Sequence, residues 1–407
     1  MFRRDLSGPI LSAMADTPVV FLQGARQVGK TTLVRDLLRS ELNAQYLTLD
    51  DASVLAAARS DPVGFLTGLK GPTILDEVQR VPALALALKA EVDRDRRPGR
   101  FLLTGSARVL TLPGLSEALV GRMEVLTLWP LAQKEIEGRD VNLLDRLFED
   151  GQVGAPLESP PGQDLGRRIA AGGFPEAISR TDADRRARWY ESYITTLLMR
   201  EVRDLSQIVD LAAIPRLLTL ASARTAQLVN MAELSRVSGL PQTTLKRYMA
   251  LLEGVFLLHF LPAWSTNLSK RVTRSPKLHL VDSGLAGHLL GYVPQGQPLP
   301  GPLLETFAFN EIHRLRATSA VRPTAYHFRT HAGIEVDILL EDRLGRLVAI
   351  EIKAASTIGA RDLRGLRFLS ENLKERFKAG IVLYSGRDVL PLGPRLYAVP
   401  LSMLWNV

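Results

Sequence analysis

The chain has 407 residues, more than one ordinary core and enough for two or three domains, and 46% hydrophobic with 23% charged residues is a folded composition. It has no cysteine, which excludes disulfides, thiolate zinc sites and cysteine nucleophiles and suits a cytoplasmic setting. A net charge of +8 favours polyanionic partners, nucleic acid first.

Met1-Phe2-Arg3-Arg4-Asp5 lacks a long apolar core, so no signal peptide is expected. The longest apolar stretches, Val81 to Leu88 and Val255 to Ala263, are too short to span a bilayer. Residues 1–16 read as a leading helix. Pro18-Val19-Val20-Phe21-Leu22 then reads as a short buried strand. It runs into Gly24-Ala25-Arg26-Gln27-Val28-Gly29-Lys30-Thr31, an ungapped G-x-x-x-x-G-K-[ST]. Apolar residues at helical spacing follow from Thr32. Strand, glycine loop and helix are the context that lets backbone N–H groups and a helix N-terminus face phosphate. Lys30 would reach the β- and γ-phosphates of ATP, and the Thr31 hydroxyl would sit on Mg²⁺.

A second strand is expected at Gln45 to Asp50. Pro72-Thr73-Ile74-Leu75 then leads into Asp76-Glu77. Asp76 would hold the Mg²⁺ shell, and Glu77 would act as general base on the attacking water. That order resembles the additional-strand, catalytic-glutamate division of P-loop ATPases. The strand Arg100 to Ser106 ends in Thr104 and Ser106, candidates for polar sensors near the γ-phosphate. Arg122 opens a fifth strand and is a candidate arginine finger, acting in its own subunit or the next.

Gly151 to Gly162 is rich in proline and glycine and reads as a linker. The segment from Arg185 to Leu205 reads as an amphipathic helix of a lid over the nucleotide. Asn230 is a candidate N-cap for a helix from Met231 to Ser238. Gly239 makes a turn, and Thr243-Thr244 open a second helix. Leu245, Met249 and Leu252 are expected inward; Lys246, Arg247 and Tyr248 are expected outward. This fits a helix-turn-helix with Gln242, Thr243, Lys246 and Arg247 as DNA contacts. The basic run from Lys270-Arg271 to Lys277 could be a wing on phosphate.

In the C-terminal third, strands are expected at Lys277–Val281, Ala325–Arg329, Glu335–Leu340 and Leu347–Lys353, with a helix over Leu303–Arg316. Glu351 and Lys353 share a strand face, and Asp337 can lie across the hairpin. Two carboxylates could bind a second Mg²⁺ and a lysine could orient water, as phosphodiester cleavage requires. Glu305 could add a third carboxylate.

Together the phosphate loop, Thr73–Glu77, Leu103–Ser106 and Leu119-Val120-Gly121-Arg122 resemble prokaryotic AAA+-type P-loop ATPases with a C-terminal DUF4143 region. Further matches are Gly172-Gly173-Phe174-Pro175-Glu176, Arg200–Leu205, Lys277–Leu285 and Leu304–Phe307. The resemblance implies an α/β fold: a P-loop ATPase parallel sheet (1–150), a linker and helical lid (151–215), a winged helix (216–290) and a PD-(D/E)xK nuclease-like domain (291–407). The nuclease-type positions would be Asp337, Glu351 and Lys353, with Glu305 on the helix; Val336 replaces the motif's proline. Three functions compete. The first is an ATP-hydrolysing machine that remodels or translocates on DNA as a homo-oligomer, a hexamer or another ring. The second is an ATP-gated Mg²⁺ nuclease, and the third a nucleotide-controlled protein switch.

Overall fold

Val19-Val20-Phe21-Leu22 is apolar at every position, the pattern of a strand covered on both faces. In the computed structural model it is β1 (Val19–Gln23). The structure describes residues 2–109, 113–140, 142–154, 165–198, 213–267, 269, 271 and 274–406. β1 joins β2 (Gln45–Thr48), β3 (Thr73–Asp76), β4 (Phe101–Gly105) and β5 (Met123–Thr127) in a parallel sheet of order β2-β3-β4-β1-β5. β4 therefore separates the phosphate-loop strand from the acidic strand. Alternate side chains fill two cores. Val20, Leu22, Ile74 and Leu102 pack with Ile10 and Leu33 on one face, and Val19, Phe21, Leu75 and Leu103 pack with Leu84 and Leu88 on the other.

The middle region runs through the Ala213–Ala223 helix, β6 (Gln227–Leu228), the helices Met231–Ser238 and Gln242–Gly254, β7 (Leu258–Leu261) and β8 (Lys277–Leu280). Its strands form an antiparallel sheet of order β6-β8-β7. Asn230 caps the first helix of the pair, its Oδ1 accepting from the Glu233 N–H at 3.1 Å. One expected orientation is corrected. Tyr248 points inward and is 1% exposed. It extends the buried 245, 249, 252 row by the helical i, i+3 step, so its ring faces the core with Leu245 and Leu252.

The C-terminal sheet has the order β13-β14-β12-β11-β10-β9. Its strands are β9 (Thr324–Arg329), β10 (Glu335–Glu341), β11 (Leu347–Lys353), β12 (Phe377–Tyr384), β13 (Leu390–Gly393) and β14 (Leu396–Pro400). β10 and β11 form the expected antiparallel hairpin, while β12 is parallel to β11, joined to it across the Arg364–Leu373 helix. The Gly301–Thr318 helix packs on β11 and on β8. The Leu143–Glu149 helix, expected with the first domain, packs on β11 and β12 instead, burying Leu143, Leu144, Leu147 and Phe148. Lys270, residues 155–162 of the expected linker and Arg200–Leu205 lie outside the described residues. Among the described residues no helix is long and apolar enough to cross a membrane.

Buried imidazoles seam these regions together. His279 stacks on Phe309 at 4.2 Å, and His313 packs edge-on to Trp129 at 4.6 Å, just past β5. Burial holds both imidazoles well below their ordinary pKa. Burial likewise pushes His327 down to about 4. A neutral folded imidazole lends stability above the unfolded value of 6.5, and that contribution is lost as pH falls through the folded value. Each group then costs about 1.4 kcal/mol per pH unit inside the window. The melting temperature is expected to fall steadily from pH 6.5 to pH 4, less steeply in His327→Gln. A flat melting profile over that range would show that the imidazoles protonate in place without penalty.

Candidate active site

Residues Gly24 to Thr32 form one loop and the first helical turn beyond β1. Gly24 lies against the chain leaving β5: a Cβ there would come within 2.3 Å of the Leu128 carbonyl oxygen. Ala25 and Val28 are buried, Arg26, Gly29, Thr31 and Thr32 are half-buried, and Gln27 is exposed. Lys30 is 5% exposed, and its ammonium donates to the loop carbonyls of Gly24 at 2.8 Å and Ala25 at 3.0 Å. Helix continues from Lys30–Thr32 through a π-helical Leu33–Leu38 stretch to Arg39–Glu41.

Strand register brings the acids to the same edge. Leu75 pairs with Leu103 and Phe21 pairs with Leu103, so Asp76, Thr104 and Leu22 end level with one another. Asp76 is 2% exposed and collects three hydroxyls. Thr31 Oγ1 donates at 2.9 Å and Tyr46 OH at 2.8 Å to Oδ2, and Thr104 Oγ1 donates to Oδ1. Burial first, then the Asp76 carboxylate, raises the Tyr46 phenol pKa. The donors are all oxygen, with one carboxylate and one loop hydroxyl in contact. That set fits a hard Mg²⁺ completed by substrate phosphate oxygens and water.

Glu77 sits in left-handed backbone, φ 62° and ψ 46°, an uncommon conformation for a non-glycine residue. The turn swings its carboxylate off the strand axis toward β4. Ser106 Oγ lies 3.1 and 3.0 Å from its two oxygens, and Gln79 donates to Oε2. Thr104 also accepts from the Glu77 N–H at 3.0 Å. Thr104 is fully buried, with its hydroxyl bonded to both Asp76 and Glu77, so it positions the two acids. Ser106 is the hydroxyl beside the carboxylate of Glu77.

Arg122 stands at the opposite edge. Val19 pairs with Met123, so Arg122 is level with the start of β1. Gly24 is roughly 20 Å away, at about 3.3 Å per residue along the strand. That distance removes the reading in which Arg122 serves its own phosphate loop. Its guanidinium instead forks onto Asp93, with Nε to Oδ1 at 2.6 Å and Nη2 to Oδ2 at 3.0 Å.

Two motifs separated in the chain meet above the loop. Asp282 is fully buried, and its Oδ2 accepts from the Gly173 N–H at 2.7 Å. Its Oδ1 accepts from the Leu285 N–H at 2.9 Å and from Tyr190 OH at 3.1 Å. Gly172, at φ +68°, must be glycine because a Cβ would lie 2.3 Å from Asp282 Oδ1. Tyr193, on the Ala183–Leu197 helix, donates to the Arg26 carbonyl at 3.2 Å, so the expected lid helix does touch the phosphate loop. Arg4 also holds the loop, donating to the Val28 carbonyl at 2.7 Å and pairing with Glu135 at 3.1 Å. Sequence reasoning missed Arg4, Tyr46 and Asp282. The one signal was the match of Lys277–Leu285 as a block.

On the Gln242–Gly254 helix, Gln242, Thr243, Lys246 and Arg247 are exposed, as expected. Arg271 is corrected. It is held by Glu341 at 2.7 Å, by Tyr326 OH at 3.1 Å and by the Ser265 carbonyl, with its guanidinium over the Trp264 and Tyr326 rings. An arginine stacked and ion-paired inside the chain does not serve as a wing contact.

The C-terminal acids do come together, but around a lysine. Ile338 pairs with Ile350, which sets Asp337 beside Glu351. Lys277 Nζ lies 2.6 Å from Glu305 Oε1 and 3.2 Å from Asp337 Oδ1. Asp337 Oδ2 accepts from the Ile352 N–H at 3.0 Å, and Lys353 Nζ lies 2.9 Å from Glu351 Oε1. Burial and then Asp337 push Glu305 up to about 8 and Glu351 up to about 7. Burial opposes the Lys277 charge, yet Asp337 and Glu305 outweigh it and raise its pKa. Among the described residues no group of three or more His, Cys, Asp or Glu side chains is arranged to hold a metal. The arrangement does not fit the metal centre expected here.

Three family models match the chain: an AAA domain over residues 16–137, a domain of unknown function (DUF8612) over 162–296, and a domain of unknown function (DUF4143) over 300–404. Uncharacterized proteins of Mycobacterium bovis and Mycobacterium tuberculosis are each 32% identical, over 99% of this chain and 84% of their own length. A solved Thermotoga maritima RuvB variant is 20% identical, with a TM-score of 0.32 over 64% of this chain and 90% of its own. At that score the likeness carries no argument. The chain belongs to the family of the mycobacterial proteins, AAA-type P-loop ATPases with a C-terminal DUF4143 domain.

Proposed function

We propose that this ATPase is an oligomeric, DNA-binding machine whose Mg²⁺-dependent hydrolysis remodels or moves along DNA. The observation that carries the DNA reading is the Gln242–Gly254 helix. Its exposed Lys246 and Arg247 make no ion pair among the described residues, and Gln242 and Thr243 open the same face. Helix, strand, helix, helix, strand, strand is the order of a winged helix, with that helix as the element for the major groove. Arg271 takes no part; Lys246 and Arg247 supply the phosphate contacts.

At the nucleotide, Thr31 and Asp76 would hold Mg²⁺, which screens the phosphate charge as it develops. Lys30 neutralises phosphate. Glu77 takes the proton from water, held in place by Ser106 and by the Thr104 bond to its backbone. Asp282, Gly173 and Tyr193 link the winged-helix region to the phosphate loop by direct contacts, so nucleotide state and DNA contact share one packed path.

The test is ATP hydrolysis with single-stranded, duplex and branched DNA across a salt series. Stimulation that weakens with salt is expected. Lys246→Ala/Arg247→Ala should lower the salt slope of DNA binding by about 2, near 0.9 per lost phosphate contact. Strong hydrolysis indifferent to every DNA would point to a nucleotide-controlled protein switch instead.

A further inference from the structure

Three carboxylates meet in the C-terminal domain from three elements: Glu305 from the Gly301–Thr318 helix, Asp337 from β10 and Glu351 from β11. Like charges gathered in a buried place repel unless a cation joins them. Two ammonium groups answer them: Lys353 lies 2.9 Å from Glu351 Oε1, and a second lysine joins the other two carboxylates. Lys277 reaches in from β8, a strand of the β6-β8-β7 sheet, with its side chain 11% exposed. It contacts Glu305 and Asp337 at 2.6 and 3.2 Å. Backbone N–H of Ile352 takes the other Asp337 oxygen. One atom is left over. Glu351 Oε2 is buried without a hydrogen-bond partner, on a residue 9% exposed.

We propose that Lys277 is the resident cation of this cluster: it stands where a divalent metal would bridge Glu305 and Asp337, and it keeps the site closed to metal while tying the winged-helix sheet to the C-terminal domain. A hydrated divalent ion must shed water and displace an ammonium held by two carboxylates. Mg²⁺ sheds water reluctantly. Glu351 Oε2 is the ligand left free for a metal once the ammonium is gone. Lysine and metal are alternatives at one position, and the chain has built in the lysine. No phosphodiester cleavage follows from this arrangement.

The experiment is Mn²⁺ binding to nucleotide-free, full-length protein, read from the electron paramagnetic resonance of free Mn²⁺. Wild type and Glu351→Gln should bind Mn²⁺ identically. Lys277→Met, which keeps the apolar stem, should gain one equivalent that Lys277→Met/Glu351→Gln loses again. Lys277→Arg should gain none. A wild-type site that Glu351→Gln removes would overturn the proposal, as would a folded Lys277→Met with no added site. If Lys277→Met does not fold, the comparison of wild type with Glu351→Gln still decides.

Discussion

Glu77→Gln should lower ATP turnover by about two to four orders of magnitude while nucleotide binding persists. The substitution keeps the shape of the side chain. Glutamine can still bond to Ser106, and the left-handed backbone at φ 62° is unchanged. Only the ability to take a proton is removed. Lys30→Ala is the contrast: it removes the ammonium from the phosphate loop, and nucleotide binding itself should be lost. Phosphate release and binding of a fluorescent ATP analogue separate the two. Turnover near wild type in Glu77→Gln would remove Glu77 as the base. Loss of binding in that variant would assign Glu77 to the shape of the loop instead.

The ATPase half was legible because its chemistry is local. A phosphate loop needs a strand, glycines and a helix in one run of chain, and Val19 to Thr32 supply them contiguously. Asp76-Glu77 could be placed because a short apolar strand ending in acids has few other uses beside such a loop. The helix pair of the middle region was legible from its ends, Asn230 and Gly239. What failed there was a side-chain direction. Tyr248 has a polar tip and sits beside two cations, yet the helical period puts its ring in the core.

The far half was less legible because its decisive contacts join distant residues. Lys277 meets Asp337 across 60 positions of chain, and the basic run around it reads as a surface patch until the strands pair. Arg271 failed for the same reason, since Glu341 and Tyr326 lie on other strands. β12 escaped because Ile381-Val382-Leu383-Tyr384 is apolar without alternation. A central strand flanked by parallel neighbours and covered on both faces looks like that, and so does a piece of buried helix. Arg4 gave no signal at all: nothing local marks an arginine that will brace a loop two dozen residues on.

Arg122→Ala should lower turnover by about three orders of magnitude or more in the assembled protein, the usual scale of an arginine finger. The register of β1 and β5 holds it away from its own phosphate loop, so as a finger it would have to serve a neighbouring subunit's phosphate. In the free chain its guanidinium rests on Asp93, a half-exposed forked pair that has to open before the arginine can act elsewhere. Mixing subunits tests the arrangement. Arg122→Ala keeps its own loop and base but offers no finger. Glu77→Gln keeps its finger but cannot hydrolyse. Each alone should be nearly inactive. In an equal mixture with head-to-tail contacts, roughly a quarter of sites pair an intact base with an intact finger, and that share of activity should return. Restoration would place Arg122 at a subunit boundary and make an oligomer obligatory for turnover. No recovery at any ratio, with both variants assembled, would show that Arg122 supports only the fold through Asp93, and the transition-state charge would then need another cation.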